Sequence, residues 1–365
     1  MAIYIVKRIL LIFPTLLGIM IINFLIVQTA PGGPVEQIIA ELTGEETNAT
    51  ARITGGGGGD LGATSGTGES NVGYEGARGL DPDFIKDLEK QFGFDKPLHE
   101  RFFKMMWGYL TLDFGQSYYQ DRSVVSLVLE RMPVSISLGF WTLLITYSIS
   151  IPLGIAKAVR DGSPFDVWTS GAIFVGYAVP AFLFAILLIV LFAGGNYWDL
   201  FPLRGLTSDN WEYLGTWGKV KDYAWHITLP ILAMVISGFA TLSLLTKNLF
   251  IEEINKQFVL TARAKVLSEN RVLYGHVFRN SMLIVVAQLP AALVNVLFTG
   301  ALLIEIIFSL NGLGLLGFEA AINRDYPVLF GTLFFYTVVG LVMHLIGDLT
   351  YVLVDPRIDF ETREV

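Results

Sequence analysis

Polar and apolar positions fall into long blocks along this chain. Ile9 to Val27 is a near-continuous apolar run, interrupted only by small or weakly polar residues and Asn23. Five further runs follow at Val134–Ala156, Trp168–Ala193, Ile227–Leu245, Met282–Ile304 and Leu329–Val354. Each approaches or exceeds the roughly 20 apolar residues a helix needs to cross hydrocarbon. The pattern predicts an all-α, integral membrane protein with six transmembrane helices. Lys7 and Arg8 precede the first run, as in a signal peptide, but a signal's apolar region is only about 7–15 residues long. The longer run here predicts a retained span entering from the cytoplasm.

The polar blocks between these runs differ in kind. Residues 252–280 (EEINKQFVLTARAKVLSENRVLYGHVFRN) are too charged to span. In and beside them, Lys247, Lys256, Arg263, Lys265, Arg271 and Arg279 face only Glu252, Glu253 and Glu269. Yet Ile254, Phe258 and Ala262, then Leu273 and Val277, recur at helical spacing. The stripe breaks at Leu267–Asn270, where Ser268 can cap a second helix with Glu269 in its first turn. Two helices joined by a bend form a knob, which suits a protein groove better than a plane of anionic lipid.

Residues 31–132 form an external insert between the first two spans. Its glycine, serine and threonine tract, 55–79, has too little apolar surface to offset the entropy of ordering and is expected to be flexible. Leu80–Gly93 reads as an amphipathic helix, with Asp81 as cap, Pro82 first in the helix, and Phe84, Leu88 and Phe92 on one face. His99–Leu112 reads as a second, with Phe102, Phe103, Met106, Tyr109 and Leu110 apolar. The division is thus a first span in 1–30, the insert in 31–132, a five-helix core in 133–354 and a tail in 355–365.

Composition supports the membrane assignment. The chain is 53% hydrophobic and 16% charged, with a mean hydropathy of +0.56, whereas soluble domains carry about 25% charged residues. Residues 31–132 hold 16 Asp/Glu against nine Lys/Arg, so much of the net charge of −8 lies there and nucleic acid is not an expected partner. The loops 157–166 and 246–281 carry eight cations, from Lys157 and Arg160 to Arg279, and the opposing short loops four, Arg204, Lys219, Lys221 and Arg324. The positive-inside rule therefore places residues 252–280 and both termini in the cytoplasm.

Candidate chemistry is sparse. There is no cysteine. Four histidines, His99, His226, His276 and His344, stand at no metal-ligating spacing, so no metal is expected. Gly312-Leu313-Gly314-Leu315-Leu316-Gly317 has the G-x-G-x-x-G spacing but lacks the strand before it that a dinucleotide site needs, and no Walker A sequence occurs. The glycines are expected to serve a tight turn and close helix packing. No catalytic set is present. Polar residues within or at the ends of spans are functional candidates because burial there is costly. Asn23, Gln288, Asn295 and Glu305 are candidates for a translocation path, with Gln28, His344 and Asp348 also polar; interhelical hydrogen bonding is the plainer role for each. A stand-alone secondary transporter or channel for a small polar solute is the alternative, but coupling-ion carboxylates near mid-membrane and repeated half-structures are missing.

Thr261-Ala262-Arg263-Ala264-Lys265 and His276-Val277-Phe278-Arg279-Asn280 resemble the cytoplasmic EAA loop of permease subunits of bacterial ABC importers, oligopeptide/dipeptide class. Val266 stands where that motif has glycine. Phe13-Pro14-Thr15, Phe92-Gly93-Phe94-Asp95-Lys96-Pro97, Asp113-Phe114-Gly115-Gln116-Ser117, Arg324-Asp325-Tyr326-Pro327 and Asp355-Pro356-Arg357 extend the likeness along the chain. Phe201-Pro202-Leu203-Arg204-Gly205-Leu206, Ser309-Leu310-Asn311-Gly312 and the glycine-rich insert narrow it to the Yej type. The resemblance implies import of peptides, including microcin C-like peptide-nucleotides, across the bacterial inner membrane. It implies a second permease subunit, an ATPase subunit with two nucleotide-binding domains that holds ATP and Mg, and a periplasmic peptide-binding protein. Coupling to the ATPase is then expected at Thr261, Ala262, Arg263, Ala264, Lys265, Val266 and Leu267. Ala262, Ala264 and Leu267 would fill a groove, and Arg263 and Lys265 would pair with its acidic rim.

Overall fold

The computed structural model describes residues 2–29, 83, 85, 86, 90, 95–195, 197–298 and 302–354. The glycine-rich tract, the tail and most of the first expected insert helix lie outside these residues. The described residues are helical apart from turns and an isolated β-bridge between Gln116 and Ser123. In chain order the helices are α1 (Ala2–Thr29), α2 (Leu98–Leu110), α3 (Val124–Val159), α4 (Pro164–Ala178), α5 (Ala181–Phe192) and α6 (Thr216–Ile254). Then come α7 (Gln257–Ala264), α8 (Glu269–Val272), α9 (Phe278–Phe298), α10 (Leu302–Ile307), α11 (Leu313–Ile322) and α12 (Tyr326–Val354). A π-helical stretch, Leu273–Val277, joins α8 to α9.

Where described, the expected spans fall on helix, the third on the broken pair α4 and α5; among the described residues four helices are apolar and long enough to cross a membrane, or six if two bent pairs each count as one. Two of the expected spans are bent. Between α4 and α5 the direction changes by 92°. Val179 is extended (ψ 118°) before Pro180, because a proline ring clashes with an α-helical residue before it and supplies no N–H to the helix. In α6, Thr216–Ile236 and Gly238–Ile254 meet at 48°.

The chain divides into two compact units. The first comprises residues 1–14, 130–315 and 335–365. One of its apolar clusters joins Leu138 on α3, Leu188 on α5, Ile231 and Ala233 on α6, and Ile304 and Phe308 on and just after α10. A second joins Ile155 of α3, Phe250 of α6, Val259 and Ala262 of α7, and Val272, Val277 and Val285. Close approach beside this second cluster depends on Gly154, where a Cβ would lie 2.6 Å from Thr246 Cβ and 2.8 Å from the Ser243 carbonyl oxygen. The second unit comprises residues 15–129 and 316–334. Met20, Phe24, Tyr109, Tyr326 and Phe330 form its core, with Phe102, Met106 and Phe114 packed against them. Tyr109, Phe102 and Met106 were expected on the apolar face of the second insert helix, which is α2. Phe103 and Leu110, expected there too, are exposed.

Candidate functional site

The segment after α6 builds a knob. Helix α7 ends at Ala264; the Lys265 and Val266 N–H groups donate to the carbonyls of Thr261 (3.1 Å) and Arg263 (2.9 Å), and the chain turns into α8. The turn is made by Val266, at φ +58° and 91% exposed. Left-handed backbone is unfavourable for any residue with a Cβ, above all a β-branched one. The glycine that the resemblance placed at this position would relieve it. Ser268 occupies the expected cap position (φ −62°, ψ 147°), but its side chain makes no capping bond; its carbonyl accepts from Arg271 N (2.9 Å) and Val272 N (3.0 Å).

The faces of α7 are set by the apolar spacing. Val259 and Ala262 turn into the second cluster of the first unit, and Leu267 packs against it. Ala262, expected to fill a partner's groove, is only 7% exposed and covered by its own chain. Thr261, Ala264, Lys265 and Val266 remain on the outside with Leu260, which is 61% exposed. Arg263 forms a two-pronged pair with Glu269 across the turn (Nε to Oε1 3.0 Å, Nη2 to Oε2 3.1 Å). Lys256 pairs with Glu252 (3.3 Å) and Glu253, and these bonds raise its pKa.

Beneath the knob lies a charge cluster that sequence reasoning missed. Lys157, near the end of α3, is fully buried. Its Nζ donates to Ser170 Oγ (2.6 Å), Thr169 Oγ1 (3.0 Å) and the Asp166 carbonyl (3.2 Å), and lies 3.2 Å from Asp166 Oδ1. Lys247, on α6, bridges Asp166 Oδ2 (2.6 Å) and Asp161 Oδ1 (2.8 Å). Gly162 N also donates to Asp166 Oδ2 (3.2 Å). Lys157 and Lys247 both entered the count of loop cations, yet they face inward; the alternation of charge along the sequence gave no sign of this.

The four path candidates lie on α1, α9 and α10. Asn23 is half-buried on α1 in the second unit, and Asn295 lies on α9. Gln288 lines a 250 Å³ pocket in the first unit with His344 and Asp348, and Asp348 pairs with Arg8 at 2.9 Å. Glu305 is fully buried. Its Oε2 accepts from Leu315 N (2.7 Å), its Oε1 from Ser135 Oγ (3.1 Å), and Ser135 Oγ accepts from Leu313 N (2.8 Å). It thus caps the free N–H groups opening α11. A Cβ on Gly312 would collide with this carboxylate, and one on Gly314 would lie 3.1 Å from Oε2. That contact gives the G-x-G-x-x-G spacing a structural reason: its first two glycines make room for an acidic side chain.

Two pairs of motifs distant in sequence meet. In the second unit, Ser117 Oγ donates to Asp325 Oδ2 (2.5 Å) and Tyr118 N to Asp325 Oδ1 (3.3 Å). In the first, Gly205, at φ +82°, donates its N–H to the Phe308 carbonyl (3.1 Å) beside Ser309.

Comparison with known proteins gives the chain a family. Residues 150–360 match the family model of the binding-protein-dependent transport system inner membrane component. The chain is 61% identical over 366 residues to the peptidoglycan transport system permease protein YejB of Agrobacterium fabrum, covering all of both chains. It is 56% identical, again over both full lengths, to the inner membrane ABC transporter permease protein YejB of Escherichia coli O157:H7. The oligopeptide transport system permease protein AppB of Bacillus subtilis is 29% identical over 99% of this chain and all of its own. Such permeases are membrane components; ATP hydrolysis belongs to a separate subunit, and a substrate-binding protein completes the system. The chain is thus a permease subunit of an ABC importer and a member of the binding-protein-dependent transport system inner membrane component family.

Proposed function

We propose that this chain supplies half of the translocation path of an ATP-driven importer that moves peptides from periplasm to cytoplasm by alternating access. The observation that carries the reading is the knob: a short helix pair held on the core by Val259 and Ala262 while Leu260, Ala264, Lys265 and Val266 point outward. A chain with no nucleotide motif of its own needs such a contact to receive work from an ATPase. Moving a two-state equilibrium from 1:99 to 99:1 takes about 5.5 kcal/mol of differential binding.

The partners are a YejE-like second permease, a YejF-like ATPase holding ATP and Mg, and a YejA-like binding protein. The binding protein docks on residues 80–132 and 306–328. Both termini and the knob face the cytoplasm of a cell with an inner membrane. The names of the Agrobacterium and Bacillus relatives, peptidoglycan and oligopeptide transport, support a cargo of short peptides, with peptidoglycan-derived peptides and microcin C-like peptide-nucleotides within that class. The test is ATP hydrolysis by the complex in vesicles, with binding protein loaded with peptides of graded length, a peptidoglycan-derived peptide or a peptide-nucleotide. Stimulation by peptides is expected; hydrolysis indifferent to all of them would remove the cargo. Reversing the charge of Arg263 and Lys265 together is expected to impair assembly or uptake, and normal uptake would overturn the coupling role.

A further inference from the structure

The cluster of Lys157, Asp161, Asp166 and Lys247 has a cost that packing does not explain. Taking Lys157, Asp166 and most of Lys247 out of water, with Asp161 at the edge, is expensive, and apolar side chains of like volume often hold a core as well or better. What an ionic cluster adds is direction. Apolar contact is non-directional and lets helices slide, whereas Lys247 Nζ is gripped by two carboxylates at 2.6 and 2.8 Å. One belongs to the turn between α3 and α4, the other to the first turn of α4.

The place of the grip matters as much. Lys247 lies about two helical turns before the end of α6 at Ile254, and the knob starts three residues later at Gln257. At the preceding residue, Thr246, α6 already touches Gly154 of α3. Two cations and two anions make the cluster formally neutral, with Asp161 alone reaching the surface, so the inner three can keep their charges through a cycle.

We propose that this cluster is a transmission joint, four positioning residues that oblige the ends of α3 and α4 to follow α6 whenever the knob is displaced. The proposal rests on the reading of this chain as an ATP-driven importer. Without the joint, a push on α7 tilts α6 alone; with it, the push reaches the α3–α4 turn as one rigid movement.

The test uses the full complex in vesicles and the double variant Lys247→Gln/Asp161→Asn, which removes one cation and one anion and leaves Lys157 paired with Asp166. The readout is peptide imported per ATP hydrolysed, a ratio that mere loss of folded protein does not change. The ratio is expected to fall between about twofold and about thirtyfold while hydrolysis persists. Lys247→Arg, which can still bridge both carboxylates, is expected to keep the wild-type ratio. An assembled double variant importing as many peptides per ATP as wild type would overturn the joint. If the double variant does not assemble, Asp161→Asn alone, at a carboxylate whose side chain is 56% exposed, takes its place: a lowered ratio supports the joint and an unchanged one overturns it. Should wild-type vesicles show no ATP-dependent uptake, the importer reading fails on its own. The joint is then judged by amide hydrogen exchange, which the double variant should accelerate at residues 160–170 relative to 257–264; equal exchange there counts against it.

Discussion

The two ends of the first unit bury charge in different ways. Near the knob, Lys157 and Lys247 are matched by the carboxylates of Asp161 and Asp166. At the Glu305 end, one carboxylate accepts from a serine hydroxyl and the N–H of Leu315, with glycines admitting it to the turn. The first arrangement depends on side-chain charge and the second on backbone shape. They should therefore fail under different substitutions: loss of a single charged partner at the knob, gain of a single methyl group at Glu305.

The largest effect is expected for Asp166→Ala. It leaves two lysines, one fully buried, facing only the outlying Asp161, and breaking a buried pair from one side costs about 3–5 kcal/mol. Thermal unfolding of the detergent-purified complex measures this, and a loss no greater than that of Asp161→Asn would deny Asp166 its central place. Gly312→Ala should cost about 1–3 kcal/mol by overpacking against Glu305. Its effect should vanish in a Glu305→Ala background, because the methyl group then meets no carboxylate; full additivity in that double-mutant cycle would contradict the shape account.

A smaller effect concerns Asp325 of the second unit, whose carboxylate is likewise held by a hydroxyl and backbone N–H groups. Burial raises its pKa above the usual aspartate value. The folded chain thus binds its proton more tightly than the unfolded one. The stability this contributes is complete below the ordinary aspartate pKa and is lost as pH rises through the raised folded value. Asp325→Asn should remove that slope from the pH dependence of unfolding; an unaltered slope would assign it to another group. The smallest effect is expected at Val266→Gly. Relief of left-handed backbone, roughly 1 kcal/mol, should slow hydrogen exchange in α7 slightly, and faster exchange would mean that the valine side chain holds the turn.

Much of this was legible in the sequence, for physical reasons that also mark its limits. Helices long enough to span must be apolar throughout, so their positions followed from hydropathy, and the helical spacing of Ile254, Phe258 and Ala262 marked a two-sided helix without saying which side faces the core. Ala262 was expected in a partner's groove, whereas it packs into the chain's own core. Val266 stood out because a glycine position implies a backbone angle. The 92° turn at Val179–Pro180 did not stand out, since a proline in an apolar run reads as a kink of unknown size. Lys157 and Lys247 were misjudged because a charge count along a loop does not say which way a side chain points. Glu305 showed only as a polar residue at a span end; its partners, Ser135 and Leu315, are 170 and ten positions away.

The π-helical stretch at Leu273–Val277 has a consequence for phase. Val272 and Val277 are both 1% exposed and five residues apart. On an α-helix of 3.6 residues per turn such a pair would point about 140° apart. The wider turn brings them to one side, so α8 and α9 are read with different phases against the same core. The extra residue works as a register mark: an α-helical extrapolation from Glu269 would set Arg279, Asn280 and the whole of α9 rotated about the helix axis. The His276–Asn280 motif holds its orientation to the knob through a count of residues, and deleting any one of Leu273 to Val277 would turn the span behind it while leaving its composition almost unchanged.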